Sequence, residues 1–300
     1  MPAVRSDSGW MQPVELDQAL MLLHQTPATV LAGGTDLFPS IAGAALPGPV
    51  LDLSQLQALR ELSVLPAPGP SGQGTVQEYL RIGAALTWTD LLHADLPQGL
   101  EALRLAAREI GAGQIQNRAT LGGNLCNASP AADSVPVLLA LEAKVELRRQ
   151  GGCRTLELAD FILGNRRTAL ASGELMTAVL IPLPLAGSRS LFLKLGHRRY
   201  LVISAVSLAI SACFDAQRRL SRCAVAVGAC SAVAQRMRRL EQHLTGLAES
   251  DLQAMLRAPI NDDWLGPINP IDDVRGSAQF RRAAAGRLIL RGLAELVGQS

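Results

Sequence analysis

The stretch Ala119-Thr120-Leu121-Gly122-Gly123-Asn124-Leu125-Cys126-Asn127-Ala128-Ser129-Pro130-Ala131-Ala132-Asp133 decides how this chain is read. It is small, polar and turn-rich, and apolar helix-like segments flank it. Two adjacent glycines strip the side chains from one point of the backbone. A loop of that kind leaves N–H groups uncovered, so it can approach and hold an anion. Thr120 offers a hydroxyl, and Leu121 to Asn124 offer successive N–H groups. Asn124, Asn127, Ser129 and Asp133 offer hydrogen bonds to hydroxyls. That mixture suits a diphosphate joined to a sugar alcohol, with backbone N–H groups carrying the phosphate charge in place of Lys or Arg.

A second glycine pair lies earlier, in Leu31-Ala32-Gly33-Gly34-Thr35-Asp36-Leu37. It follows a short buried strand, Thr29 to Ala32, and leads into a helix over Asp36 to Ala42. Thr35 or Asp36 is the expected cap, with Pro39 in the first turn. The N–H groups of the glycines and Thr35 are free to meet an oxyanion, and the helix dipole favours it. The spacing is neither GxGxxG nor GxxxxGK[ST], so this is not a Rossmann or Walker loop. Two anion loops without a catalytic cluster point to a dinucleotide with two phosphates, whose chemistry is the cofactor's own. FAD, NAD and coenzyme A all satisfy that argument.

The totals narrow the class. A chain of 300 residues with 48% hydrophobic residues suggests two domains with ample cores, built from Leu, Ala, Val and Ile because aromatics are only 3%. A net charge of +2 gives no case for nucleic acid. The basic run Arg275 to Arg291 sits on a helical pattern and reads as a solvated face or subunit contact. The 5 cysteines form no CxxC, and the 4 histidines form no cluster. The chain therefore reads as reducing and cytoplasmic, with no metal ligands and no catalytic acid or base. The N-terminus lacks an apolar signal core, and the longest apolar run, Val202 to Ala212, is too short to span a bilayer.

Periodicity organises the rest. Val14 to His24 is a helix; Val50 to Leu53 is a second buried strand, completing a small α/β unit. Glu61 to Leu65 and Glu78 to Gly83 read as antiparallel strands joined by the loop Pro66 to Gly74. Gln98 to Ile110 and Val135 to Leu141 read as helices. Lys144 to Arg149 and Cys153 to Leu158 form a hairpin around Gly151-Gly152, and Glu174 to Ile181 is a strand. Pro182 to Ser188 reads as the domain boundary. Beyond it, three antiparallel strands (Leu191 to Leu195, Val202 to Phe214, Leu220 to Gly228) precede three helices (Ala232 to Leu244, Ser250 to Leu256, Ser277 to Val297). This is an α+β order.

Ala32-Gly33-Gly34-Thr35-Asp36-Leu37 and Thr120-Leu121-Gly122-Gly123-Asn124, followed by Ala128-Ser129-Pro130-Ala131-Ala132-Asp133, resemble the two FAD loops of the molybdenum hydroxylase flavoprotein family. That family includes the medium subunit of carbon monoxide dehydrogenase and the FAD domain of xanthine dehydrogenase. Phe192-Leu193-Lys194-Leu195-Gly196-His197-Arg198-Arg199-Tyr200 resembles the segment that opens its C-terminal domain. Asp272 to Arg282 resembles the segment leading into its last helix. The resemblance spans nearly the whole chain.

It implies a bilobed, PCMH-type FAD-binding domain over residues 1–185, with subdomains of about 1–57 and 58–185. An α+β C-terminal domain over 186–300 follows, with a three-stranded antiparallel sheet and a helical bundle. It implies FAD as cofactor. Val30, Leu31, Ala32, Gly33, Gly34, Thr35, Asp36 and Leu37 would wrap the diphosphate from one side; Thr120, Leu121, Gly122, Gly123 and Asn124 would close on it from the other. Asp133 would bond polar groups of the cofactor, and Ile110 and Met176 match positions lining the adenine end. Lys194 matches a cofactor-contacting lysine, and Tyr200 an aromatic that shields the flavin ring.

The resemblance also implies partners: a large molybdopterin-binding subunit and a small subunit with two two-iron clusters, in a dimer of heterotrimers. Electrons would pass through the clusters to FAD and on to NAD, oxygen or a quinone-linked carrier. Two rivals stand beside this reading. A stand-alone FAD-dependent oxidoreductase of the same broad fold would need acid/base residues of its own. A non-catalytic assembly subunit would not need intact glycine loops.

Overall fold

Short apolar runs near the N-terminus form a small parallel sheet. β1 (Trp10–Met11), β2 (Thr29–Leu31) and β3 (Val50–Asp52) lie in the order β1-β3-β2. Both outer strands run parallel to β3. Parallel pairing needs a crossover. The helix Leu16–Gln25 supplies one between β1 and β2 and buries Ala19, Leu20, Leu22 and Leu23. These residues share a core with Leu51, Leu53, Leu56 and Leu59.

The computed structural model describes residues 9–46, 48–68, 76–198 and 201–298. The chain packs as two units, and the first takes in residues 1–91, 113–128 and 143–182. Beside the small sheet it holds a larger antiparallel one. This is built from β4 (Leu62–Pro68), β5 (Val76–Gly83), β6 (Lys144–Arg149), β7 (Gly152–Glu157) and, after a short hairpin of β8 (Ile162–Gly164) with β9 (Arg167–Thr168), β10 (Leu175–Pro182). The order is β4-β5-β10-β6-β7. Alternation along β6 buries Val145 and Leu147 and leaves its charged residues outward. The tight turn after β6 uses Gly151 at φ +73°. Residues 69–74 of the expected Pro66–Gly74 connection lie outside the described residues, and Pro66 to Pro68 continue β4.

The stretch that opened the sequence reading is not an open loop. It folds as a helix, Leu121–Asn127, closed by Ala128 in the left-handed region at φ +47°. The helix after the first glycine pair is shorter than expected, Leu37–Ser40, and neither Thr35 nor Asp36 gives it a side-chain cap.

The second unit takes in residues 92–112, 129–142 and 183–300. β11 (Ser188–Leu195), β12 (Val206–Phe214) and β13 (Leu220–Gly228) form the expected three-stranded antiparallel core, and a two-residue strand, β14 (Gln235–Arg236), is added at its edge. The sheet is covered on both faces. On one, Gly292 of the long helix Ala278–Gly298 approaches so closely that a Cβ there would sit 2.9 Å from Ile210 Cδ1 and 3.1 Å from Leu208 Cδ2. On the other, the helices Glu101–Glu109 and Ser134–Ala140 pack against the same strands. Ala102 N–H donates to Ser190 Oγ at 2.9 Å there. Two covered faces explain why Val206 to Ala212 is buried at every position but Ser211. The helices Arg238–Leu244 and Glu249–Met255 add Leu240, Leu244 and Leu252 to the core. Among the described residues, no helix is long and apolar enough to cross a membrane.

Candidate functional site

The two glycine stretches meet. A Cβ at Gly33 would lie 1.9 Å from the carbonyl oxygen of Arg118 and 3.0 Å from Ala119 Cα, so the turn after β2 runs against the residues that lead into the Leu121–Asn127 helix. Residues 119–122 in turn pair with 84–88. Trp88 N–H donates to Ala119 O at 3.2 Å, Leu121 N–H to Leu86 O at 3.0 Å and Gly122 N–H to Ala84 O at 2.8 Å. A Cβ at Gly122 would sit 2.7 Å from Ala84 Cβ. Gly33 and Gly122 are thus glycine because backbones touch there.

Between these segments lies a cavity of about 350 Å³. That is the scale of a small-molecule site. Its walls hold every residue from Val30 to Leu37, together with Thr120, Gly122, Gly123, Asn124 and Met176. Leu121 does not line it; its side chain is fully buried beneath. Ile110, Asp133 and Lys194 belong to the second unit. Tyr200 lies outside the described residues.

The two stretches present different groups to the cavity. The sequence reading offered the successive N–H groups of Leu121 to Asn124 as anion donors, and the structure corrects it. Leu121 and Gly122 are paired as above. Gly123 N–H donates to Thr120 Oγ1 at 3.1 Å and Asn124 N–H to Thr120 O at 3.0 Å. The Thr120 hydroxyl caps its own helix, the ordinary work of a threonine at that position. By contrast, the N–H groups of Gly33, Gly34, Thr35 and Asp36 donate to no acceptor among the described residues. Gly34 at φ +75° turns the chain so that consecutive amides are left uncovered. Such a run of backbone donors is an anion-binding concavity.

Sequence reasoning missed part of the wall. Ala84 and Ala85 enter it from the end of β5, and Cys126, Arg166 and Glu174 also line it. Burial pushes the Cys126 thiol up to about 12, so it stays neutral. Glu174 accepts from Arg154 Nε at 2.7 Å, from Arg154 Nη2 at 2.7 Å and from Ala171 N–H at 2.8 Å. The Arg154 hydrogen bonds, ahead of opposing burial, hold its carboxyl below the usual carboxylate range. The signal available was Gly164-Asn165-Arg166-Arg167-Thr168, a turn with two arginines just upstream of the strand bearing Met176.

In the second unit Lys194 Nζ donates to Asp133 Oδ2 at 2.7 Å and to Glu109 O at 3.3 Å, and Ser204 Oγ donates to Asp133 Oδ1 at 2.5 Å. Both charged side chains are buried. Burial raises the Asp133 carboxyl, against the opposing pull of Lys194 and Ser204. Asp133 stands at the start of the Ser134–Ala140 helix without capping it through its side chain.

Residues 5–184 match the family described as the FAD binding domain in molybdopterin dehydrogenase. The chain belongs to this family. Residues 192–296 match the carbon monoxide dehydrogenase flavoprotein C-terminal domain. The nicotine 6-hydroxylase medium subunit of Paenarthrobacter nicotinovorans is 30% identical over 299 residues, 98% of each chain. The nicotinate dehydrogenase FAD-subunit of Eubacterium barkeri is 36% identical over 208 residues, 67% of each. The carbon monoxide dehydrogenase structure from Hydrogenophaga pseudoflava superposes with a TM-score of 0.80 at 27% identity, covering 98% of both chains. As a member of the FAD-binding family, the chain is a flavoprotein oxidoreductase subunit with FAD as its cofactor, and the α+β architecture is the one its sequence led us to expect. The site fits that cofactor: four residues whose N–H groups have no acceptor among the described residues line a cavity in a unit where the glycines admit close backbone approach.

Proposed function

We propose that this chain is the electron-transfer flavin subunit of a multi-subunit molybdopterin-dependent hydroxylase or dehydrogenase. In that role it takes electrons from the iron–sulfur clusters of a small partner subunit, which draws them from a large molybdopterin subunit that oxidises the substrate. It hands them to an external acceptor: NAD, oxygen or a quinone-linked carrier. The assembly is a dimer of heterotrimers in the cytoplasm. Bound FAD supplies the two-electron redox chemistry.

The observation that carries this reading is the run of N–H groups from Gly33 to Asp36 along the cavity wall, which have no acceptor among the described residues. These amides bind the diphosphate and fix its position. Val30 to Leu37 form one wall, and Thr120, Gly122, Gly123 and Asn124 form the other through a rigid, internally bonded helix start. Met176 gives an apolar surface for the adenine end. Ile110, Asp133, Lys194 and Tyr200 are proposed as further cofactor contacts on the resemblance to the family. The domain division proposed is 1–185 and 186–300. No lining residue is needed as a general acid or base: Glu174 is held by Arg154, and the Cys126 thiol is neutral.

The test is the visible spectrum of the full-length chain, purified alone and co-expressed with the large and small subunits. Flavin absorption in either preparation, bleached by reductant and restored by an acceptor, is the expected result. Colourless protein in both would refute the proposal.

A further inference from the structure

The cavity wall carries charges of both signs. Its charged lining residues are Asp36, Arg166 and Glu174. Glu174 is matched by Arg154. Asp36 and Arg166 are not matched: both are exposed, and among the described residues neither side chain has a hydrogen-bond or ion-pair partner, which leaves one carboxylate and the guanidinium of Arg166. The backbone of Arg166 is also unusual. Arg166 lies at φ +53°, in the left-handed region, and its N–H donates at 3.0 Å to the carbonyl of Ala128, which is itself left-handed at φ +47°. The left-handed conformation belongs to the two-residue turn Asn165-Arg166 that joins β8 to β9, and that turn brings the residue to the cavity wall. Ala128 closes the helix that Thr120 opens. One hydrogen bond therefore ties Arg166 to the helix carrying Gly122 and Gly123.

We infer that Arg166 is the cation that completes the anion site, pairing with the diphosphate of the bound dinucleotide. This rests on the flavin-subunit reading above. A diphosphate carries two negative charges. Backbone N–H groups offer hydrogen bonds and partial charge, and no lining lysine or second arginine adds a full one. A guanidinium supplies a full charge and a planar fork that matches phosphate oxygens.

The experiment uses the full-length chain freed of flavin and titrated with FAD and, separately, with ADP, which shares the diphosphate and adenine but lacks the redox ring. The variants are R166Q, R166K and R166G; glycine adopts the positive φ without strain, so R166G retains the fold. R166Q and R166G should raise both dissociation constants about tenfold, which is about 1.4 kcal/mol. They should also flatten the salt dependence of binding, while R166K keeps most of the affinity and the slope. The melting temperature of R166G should equal or exceed that of the wild type. Wild-type dissociation constants and salt slope in R166G would overturn the inference. So would a loss confined to FAD with ADP unaffected, because the contact would then not be to the diphosphate. A wild-type chain that takes up neither ligand would instead overturn the flavin-subunit reading on which the inference stands.

Discussion

Replacing Gly33 by alanine adds a methyl group where two backbones already touch. The new Cβ would lie 1.9 Å from Arg118 O and 2.7 Å from the carbonyl carbon of Arg118. No side-chain rotation relieves this, because both atoms are main chain. Carbon-to-oxygen contacts lie at about 3.3 Å or beyond, so from 1.9 Å the two segments must part by roughly 1.4 Å. Overpacking of that kind costs about 1–3 kcal/mol. In a domain of 150–250 residues each kcal/mol lowers the melting temperature by about 2–4 °C. The parting separates the uncovered amides of Gly33 to Asp36 from the Thr120 helix start, so FAD affinity should fall about tenfold or more. Two other glycines grade the effect. At Gly123 the added Cβ would meet only the Thr120 hydroxyl, at 2.8 Å, and that group can rotate at the expense of its cap, so G123A should be milder. At Gly113 nothing lies within 4 Å, and the residue begins the helix Gly113–Gln116, so G113A should be neutral or slightly stabilising. Calorimetry and flavin titration of the three variants read both quantities. G33A with wild-type flavin content and melting temperature would refute the claim that this contact builds the cavity.

Two further outcomes follow from the ion pairs. The Glu174 carboxyl titrates below the usual value of 4.5, first through its Arg154 hydrogen bonds, so its folded pKa lies beneath its unfolded one. Its contribution is therefore present above about pH 4.5 and is lost as pH falls through the folded value. E174Q should lower the melting temperature more at pH 7 than at pH 3.5, and an equal loss at both would contradict this assignment. For the buried Asp133–Lys194 pair, K194M alone leaves an uncompensated buried carboxylate and should cost about 3–5 kcal/mol. The double change K194M/D133L should cost less than the sum of the single changes in urea titrations. Strict additivity would show that the two charges do not depend on each other.

Much of the fold could be read from periodicity. The hairpin at Gly151, the antiparallel strands of the second unit and its last helix fall within a few residues of their expected positions. What periodicity could not supply is the partner of each apolar face. Leu103 and Ala107 mark the inward side of the Glu101–Glu109 helix, and that helix packs on β11, a strand some eighty residues later. An amphipathic pattern says that a face is buried and is silent on what buries it. The doubly covered sheet was not legible in the chain, because Ser207, Ala209 and Ser211 alternate with Val206, Leu208 and Ile210 as on a strand with one wet face, and only the structure shows that face covered too.

The glycine pairs carry a narrower lesson. Both read as anion loops, since a glycine without a Cβ exposes its amides. Yet a missing Cβ serves close packing equally well, and the sequence is the same in either case. What separates them is the fate of each N–H. In Leu121 to Asn124 every amide has an acceptor, two of them on the strand-like segment 84–86 and two on Thr120. In Gly33 to Asp36 none has one among the described residues. The second pair therefore shapes and stiffens the cavity, and the first leaves its donors open for the diphosphate contact proposed above. This division of labour makes the cavity asymmetric: backbone donors on one wall, a rigid helix start on the other, and one unmatched guanidinium attached to that helix through Ala128. The left-handed φ of Arg166 follows from its place in the two-residue turn between β8 and β9, and the hydrogen bond to Ala128 fixes that turn against the helix, so the position of the guanidinium is set by the fold before any anion arrives.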